Sequence, residues 1–152
     1  MMFEPAHVLA AALALSSAGL ENRHDPADVA CLALNVYHEA RGESVTGQAA
    51  VAHVTLNRVR NPRFPDSVCA VVTQQARGVC QFSWVCNDPG QPRNRTALKR
   101  AYQVAVDTLA GRRADPTNGA TYFFSRRIPT PDWARRMRET TAIDNHRFFR
   151  QG

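Results

Sequence analysis

Residues 25–43 read DPADVACLALNVYHEARGE, and this stretch predicts the clearest helix in the sequence. Asp25 is a suitable N-cap residue, because its short side chain can accept a hydrogen bond from a free N–H in the first turn. Proline is favoured at the first helical position, which Pro26 occupies. Gly42 can end the helix. We therefore expect one helix between Pro26 and Gly42.

An apolar stripe along this helix leads to a glutamate. Val29, Leu32 and Val36 recur at spacings of three and four, which directs one face of the helix towards the core. The same rhythm continues to Glu39 and Glu43. A glutamate on the inward face costs free energy unless it is paired, hydrogen-bonded, protonated or open to a polar cleft. Glu39 is therefore expected to meet one of these conditions.

The spacing of the two glutamates makes Glu39 a candidate proton donor. Burial and a neighbouring like charge, here that of Glu43, both raise the pKa of a carboxyl group. A carboxyl group that keeps its proton near neutral pH is suited to general acid catalysis. In the alternative interpretation, Glu39 forms a buried ion pair with an arginine such as Arg58, and Glu43 caps the next helix. Periodicity alone does not separate the two interpretations.

Three further helices are expected. Their predicted positions are about residues 46–59, a short segment from a cap at Asp66 to Val72, and a segment from Asn94 or Thr96 to Gly111. Between the last two, residues 75–94 are rich in glycine, proline and asparagine, and they predict a long structured loop of the kind that is often functional.

The C-terminal part of the sequence favours strands. Segments 120–124, 141–143 and 146–149 are short and rich in aromatic or β-branched residues, and a helical turn is expected at 132–137. The predicted fold class is α+β and mainly helical, with a small antiparallel β element beside a cleft.

Length and charge limit the possible classes of protein. A chain of 152 residues with 44% hydrophobic content can enclose one ordinary core, so we expect one domain at 25–152 preceded by an N-terminal helix or weak leader at 1–24. The apolar run at 8–15 is too short to cross a bilayer, and no stable membrane insertion is expected. A formal net charge of +6 favours anionic partners. A basic binding module without catalysis is one alternative, but no nucleic-acid motif is present and no nucleic-acid partner is expected.

The sequence contains four cysteines, an even number that permits disulfides without fixing their pairing. Cys80 and Cys86 bracket five residues that a loop-closing bridge could span, and Cys69 is a competing partner nearby. Reduced, buried cysteines are a second interpretation. A zinc site lacks the usual close cysteine pair and a matched histidine pair, so neither a metal nor another cofactor is expected.

Several stretches resemble a known family. Residues 36–59 (VYHEARGESVTGQAAVAHVTLNRV) closely resemble the signature of the SleB/CwlJ-type cell wall hydrolases, which include spore cortex-lytic enzymes. The resemblance continues through 64–69 and 80–84 and resumes at 119–123, 131–134 and 145–149. It covers about residues 28–150 in the family's order.

This resemblance implies a lysozyme-like catalytic domain that cuts peptidoglycan glycan strands, with Glu39 as the catalytic acid. One carboxyl group suffices for a lytic transglycosylase, whereas a hydrolytic glycosidase usually needs a second, for which Glu43 is the candidate. The chain departs from the family pattern where many members carry histidine at the position of Tyr122 or Phe124. A role that needs imidazole at that place is not expected here.

Aromatic and polar residues are candidates for binding sugar rings. Flat aromatic faces match the C–H faces of pyranoses, and polar groups bind the hydroxyls. For Phe82 and Trp133, core packing is an equal alternative. His38 is expected on the outward face, and His146 as a structural hydrogen-bonding residue. The predicted substrate-binding residues are Tyr37, Gln81, Phe82, Ser83, Trp84, Tyr122 and Trp133.

The sequence also allows alternatives for the bond that is cleaved and for the place of action. A peptidoglycan amidase or peptidase is a further alternative, although no convincing metal or Cys/His nucleophile site is present. Cystines and a wall substrate favour a periplasmic or extracellular place of action. A bacterial wall-remodelling enzyme and a phage lysin, with virion or lysis-system partners, both fit.

Overall fold

The computed structural model describes residues 25–152, so the predicted N-terminal helix or leader at 1–24 lies outside the described residues. The described part has five α-helices, one 3₁₀ helix and two small antiparallel sheets. The α-helices are α1 (Pro26–Ala40), α2 (Val45–Val59), α3 (Val68–Val72), α4 (Ser83–Asn87) and α5 (Arg95–Leu109). The strands are β1 (Gln75–Ala76), β2 (Val79–Cys80), β3 (Tyr122–Ser125), β4 (Arg138–Ile143) and β5 (His146–Arg150), with the 3₁₀ helix at Asp132–Arg136.

Helix α1 lies at the centre of the core, and the face that was predicted to point inwards is buried. The Asp25 side chain accepts a hydrogen bond of 2.9 Å from the N–H of Ala27, which satisfies one of the free donors of the first turn. Val29, Leu32 and Val36 are fully buried. Helix α1 contacts α2, α3 and α5, so most of its circumference is covered.

The start of helix α3 differs from the prediction. Ser67, and not Asp66, is the N-cap: its side chain accepts a hydrogen bond of 3.2 Å from the N–H of Ala70. The backbone of Ser67 is extended, with φ −134° and ψ 154°, which is the conformation of an N-cap residue. Asp66 lies one residue too early to reach that donor.

The predicted loop at 75–94 contains regular structure. Strands β1 and β2 form a short hairpin whose turn residues, Arg77 and Gly78, both have positive φ, as the tightest hairpin turns require. Helix α4 follows directly. The loop therefore presents its residues from a hairpin and a helical turn.

The three-stranded sheet has the order β3-β5-β4, and both strand pairs are antiparallel. Phe148 in the central strand is fully buried and packs with Ala50 and Val54 of α2, which fixes the sheet against the helices. The structure confirms the predicted α+β class, in which helices dominate and the β element is small.

The turn between β4 and β5 is held against the start of α2. Asp144 accepts hydrogen bonds from the N–H and the hydroxyl of Ser44, at 2.9 and 2.6 Å. These bonds lower the pKa of the Asp144 carboxyl group. Gly47 leaves room for this contact, because a Cβ at that position would collide with Asp144 Oδ2 and crowd Glu43. The contact joins segments that are 100 residues apart.

All four cysteines form disulfides. Cys31 of α1 pairs with Cys69 of α3, and Cys80 pairs with Cys86, with Cα–Cα distances of 5.3 and 5.8 Å. The interpretations with reduced cysteines or a zinc site are therefore wrong for these residues. The second pair is the loop-closing bridge that the sequence allowed, and Cys69 has a different partner.

Candidate active site

An open cleft of about 250 Å³ lies between the helices and the three-stranded sheet. Glu39 and Arg58 contribute from α1 and α2. Residues 80–83 form another side. The remaining lining residues come from β3, the turn after it and β5: Phe123, Phe124, Ser125, Ile128 and His146. The cleft therefore collects residues from five parts of the chain around one carboxyl group.

Glu39 has the properties expected of a proton donor. Among the described residues, its side chain has no hydrogen-bonding or ion-pair partner, and Arg58 does not form the ion pair that the alternative interpretation required. Burial raises the pKa of Glu39 from 4.5 to about 7, because desolvation disfavours the charged form. The carboxyl group thus keeps a substantial share of its proton at neutral pH while facing open space.

Glu43 does not contribute to this shift, contrary to the expectation from helical spacing. Helix α1 ends at Ala40, so the periodicity that would bring Glu43 beside Glu39 stops before it. One Glu43 carboxylate oxygen lies 3.6 Å from Nδ1 of His146, and the other accepts a hydrogen bond of 3.4 Å from Asn145. Glu43 therefore holds the β4–β5 turn in place through His146 and Asn145. It is not among the residues that line the cleft.

Arg58 forms part of the cleft wall as a buried cation. Only 1% of this residue is exposed, and its Nε donates a hydrogen bond of 2.7 Å to the carbonyl oxygen of Thr121. Its guanidinium lies 4.9 Å from the ring centres of Phe64 and Tyr122 and 5.5 Å from that of Phe82. Burial lowers the pKa of Arg58 to about 10, so it remains charged at neutral pH. It fixes the aromatic wall behind the cleft by cation–π contacts.

His146 brings an imidazole to the cleft from β5. Ser125 of β3 pairs with His146 across the sheet, and both residues line the cleft. Burial lowers the pKa of His146, although the charges of Glu43 and Asp144 oppose the effect. The periodicity of the sequence did not indicate that His146 lines the cleft. Its place in the segment 145–149, which carried part of the family resemblance, was the only available indication.

Three of the predicted substrate-binding residues lie in the cleft. Gln81, Phe82 and Ser83 line it, and Phe82 is 4% exposed. They belong to the loop that the Cys80–Cys86 disulfide closes, with a sequence separation of 6. The bridge therefore restricts the segment that carries these side chains.

Removing this bridge is expected to impair substrate binding as well as stability. A Cys80→Ala/Cys86→Ala variant releases a loop of 6 residues, which costs about 2 kcal/mol of stability in the chain-entropy treatment. Ordering three cleft side chains on binding then costs about 0.5–1.5 kcal/mol each. We expect KM to rise about tenfold or more with little change in kcat. An unchanged KM, measured on the substrate class that the sequence resemblance implies, would show that the bridge does not organise the cleft.

Tyr37 and Trp84 lie away from the cleft. Tyr37 is buried, and its hydroxyl oxygen accepts a hydrogen bond of 3.2 Å from the N–H of Asn94. Trp84 donates from Nε1 to Asn35 at 2.9 Å and stacks on His38 at 4.5 Å between ring centres. His38 is thus half-buried, whereas the sequence placed it on the outward face. Tyr37 and His38 line a second cavity of about 190 Å³.

Tyr122 and Trp133 belong to an aromatic cluster formed by β3, β5 and the 3₁₀ helix. Trp133 lies 5.3, 5.7 and 5.6 Å from the rings of Tyr122, Phe124 and Phe149. Neither Tyr122 nor Trp133 lines the Glu39 cleft. The cluster supports Phe124, which does line the cleft.

Within residues 25–152, no group of three or more histidine, cysteine, aspartate or glutamate side chains is arranged to hold a metal ion. No helix in the same range is long and apolar enough to span a bilayer.

The chain is similar in sequence and in fold to known cell wall hydrolases. A family model described as Cell Wall Hydrolase matches residues 42–149. The chain is 37% identical over 121 residues to a spore cortex-lytic enzyme of Halalkalibacterium halodurans, covering 80% of this chain and 34% of the relative. It is 35% identical over 123 residues to that of Bacillus subtilis, covering 80% of this chain and 37% of the relative. The chain therefore spans little more than a third of the length of these relatives.

Two solved structures are similar over nearly their whole length. The catalytic domain of the germination-specific lytic transglycosylase SleB from Bacillus anthracis matches with a TM-score of 0.70 at 30% identity, covering 86% of this chain and 100% of that one. The catalytic domain of Bacillus cereus SleB matches with a TM-score of 0.68 at 31% identity, covering 86% and 95%. The fold is thus that of the SleB catalytic domains, as the lysozyme-like prediction implied.

Proposed function

This chain belongs to the cell wall hydrolase family, and on that premise we propose that it cleaves the glycan strands of peptidoglycan with Glu39 as the proton-transferring residue. The observation that supports this most strongly is the Glu39 carboxyl group, which is partly buried, has no partner among the described residues and opens into the cleft. A solved structure with 30% identity is itself described as a lytic transglycosylase.

In the first step, protonated Glu39 donates its proton to the oxygen that bridges muramic acid and the next sugar. The bond between that oxygen and C1 of muramic acid breaks, and the next sugar leaves as an alcohol. Positive charge develops at C1 and the ring oxygen. A carboxyl group whose pKa lies near the working pH is suited to this transfer, because it is both populated as the acid and ready to release its proton.

In the second step, the Glu39 carboxylate removes the proton from the 6-hydroxyl of muramic acid, and O6 bonds to C1 to close an anhydro ring. This returns Glu39 to its protonated form. Among the described residues, Glu39 is the only carboxyl group that lines the cleft, since Glu43 is engaged by His146 and Asn145. One carboxyl group suffices for this route, whereas hydrolysis usually needs a second. We therefore favour lytic transglycosylation over hydrolysis.

Mass spectrometry of digested sacculi tests the reaction class. Transglycosylation releases anhydromuropeptides, hydrolysis releases fragments with reducing ends, and amidase action releases stem peptides without their glycan. We expect anhydromuropeptides. Fragments with reducing ends would show that water enters the second step, and free stem peptides would contradict the proposed bond.

The pH dependence of cleavage follows from the pKa of Glu39. Because the first step needs the protonated carboxyl group and burial raises its pKa to about 7, kcat/KM is expected to fall roughly tenfold for each pH unit above that value. Rates on soluble glycan fragments between pH 5 and 9 would check this. Activity that stays constant up to pH 9 would mean that another group supplies the proton.

The proposed place of action is the cell wall outside the cytoplasm. Two disulfides persist in oxidising compartments, and Cys31–Cys69 and Cys80–Cys86 are both formed. A periplasmic remodelling enzyme and a phage-encoded lysin acting with lysis-system partners both use this chemistry.

A further inference from the structure

A second cavity, of about 190 Å³, lies on the side of α1 opposite to the cleft. It is lined by Tyr37, His38 and Arg41 together with residues 89 and 91–93. At about 100° of rotation per helical residue, Tyr37 and Arg41 point about 160° away from Glu39 in opposite senses. The two cavities therefore flank the C-terminal turn of one helix, and the proposed reaction uses only one of them.

This cavity is positively charged. It contains the guanidinium groups of Arg41 and Arg93, and within residues 25–152 neither forms an ion pair with a carboxylate. Burial and the charge of Arg41 lower the pKa of His38 to about 4, so His38 is neutral at physiological pH and adds hydrogen-bonding capacity without charge. A carboxylate complements such a site, because guanidinium groups bind it through paired hydrogen bonds.

The walls of the cavity are preorganised. The Tyr37 ring lies 5.0 Å beneath the Arg41 guanidinium, and its hydroxyl is held by the N–H of Asn94. Pro89 and Pro92 restrict the backbone on the opposite wall. A ligand would therefore meet groups that are already in position, which reduces the entropic cost of binding.

The neighbouring cleft suggests which carboxylate is available. A glycan strand in the cleft carries a peptide stem on each muramic acid, and these stems contain free carboxylates. A stem of four residues extends to roughly 13–14 Å, comparable with the roughly 10–12 Å diameter of a helix with its side chains. A stem is therefore about as long as the helix that separates the two cavities is wide.

We propose that the cavity formed by Tyr37, His38, Arg41 and Arg93 binds a carboxylate of the peptide stem on the glycan strand being cleaved. This rests on the proposed glycan-cleaving function and gives it a preference for substituted over bare strands. The stem positions the strand along the cleft, and the arginines act on binding and not on the chemical step.

The test compares two substrates and two double variants. The substrates are soluble glycan strands with their stems and the same strands after removal of the stems by an amidase. Arg41→Gln/Arg93→Gln removes the proposed contacts from two exposed side chains, whereas Lys99→Gln/Arg100→Gln removes the same charge from exposed positions of α5 that line neither cavity. We expect the first variant to raise KM about tenfold or more on stem-bearing strands and to leave kcat, and KM on bare strands, within about twofold.

Three results would overturn this proposal: an equal loss on both substrates, no loss on either, or an equal loss in the Lys99→Gln/Arg100→Gln control. Each of these three results differs from the result expected if the proposed function itself is wrong. If the protein does not cleave glycan strands, the wild-type protein would release no glycan fragments from either substrate.

Discussion

A Glu39→Gln variant is expected to lose at least about two orders of magnitude of glycan-strand cleavage, the lower end of what a positioned acid contributes. Glutamine keeps the size and shape of the side chain but cannot release a proton. Because no second carboxyl group lines the cleft among the described residues, no neighbour can readily replace it. Release of glycan fragments from sacculi, measured over time, gives the rate.

Glu139→Gln is the matched control for this substitution. It makes the same chemical change at a glutamate of β4 that pairs with Arg147 at 2.8 Å, near the surface and outside the cleft. Its activity should stay within about twofold of wild type, since exposed ion pairs contribute little to stability. If Glu39→Gln remained folded and retained more than a tenth of wild-type activity, Glu39 could not be the principal acid.

Unfolding is not expected to explain a loss of activity in Glu39→Gln, because the substitution should stabilise the protein at high pH. Below pH 4.5 the carboxyl group is protonated in both folded and unfolded chains. Between 4.5 and about 7 the unfolded chain loses the proton first, so the wild-type protein loses stability as the pH rises, by roughly 3 kcal/mol in total. The variant has no such loss, and denaturant unfolding at pH 8 should show it to be at least as stable as wild type.

Removing the Cys31–Cys69 disulfide is expected to cause the largest loss of stability. The bridge joins α1 to α3 across 38 residues, and closing a loop of that length restricts the unfolded chain by about 4 kcal/mol in the entropic treatment. A Cys31→Ala/Cys69→Ala variant should unfold at a temperature roughly 8–16 °C below wild type. Calorimetry under non-reducing conditions measures this shift.

The Cys80→Ala/Cys86→Ala variant is the internal comparison for this result. Its loop of 6 residues predicts a loss about half as large, combined with the rise in KM described above. A Cys31→Ala/Cys69→Ala protein that unfolds within about 3 °C of wild type, or no earlier than the Cys80→Ala/Cys86→Ala protein, would show that the longer bridge does not dominate stability.

The features that were predictable from the sequence are those set by local chemistry. Asp25 and Pro26 determine the start of α1 through capping and backbone geometry, and the stripe of Val29, Leu32 and Val36 determines its buried face. Glu39 follows from that stripe, since a carboxyl group at the end of an apolar face must meet a special environment.

The features that were not predictable depend on contacts between distant segments. The direction of Glu43 depends on the β4–β5 turn, more than 100 residues later in the chain. His146 reaches the cleft only because β5 pairs with β3. Residue type also does not show which aromatic side chains reach the cleft: Phe82 lines it although it packs in the core, whereas Trp133 is only partly buried and does not line it.

The central claim, that Glu39 keeps its proton near neutral pH while facing the cleft, is tested most directly by titrating that carboxyl group. Carbon NMR of protein labelled at the glutamate side-chain carboxyls, with the Glu39 signal assigned by its absence in Glu39→Gln, gives the midpoint. We expect a midpoint near 7. A midpoint close to the ordinary value of 4.5 would contradict the account, because the carboxyl group would then be ionised at the pH where it must donate a proton.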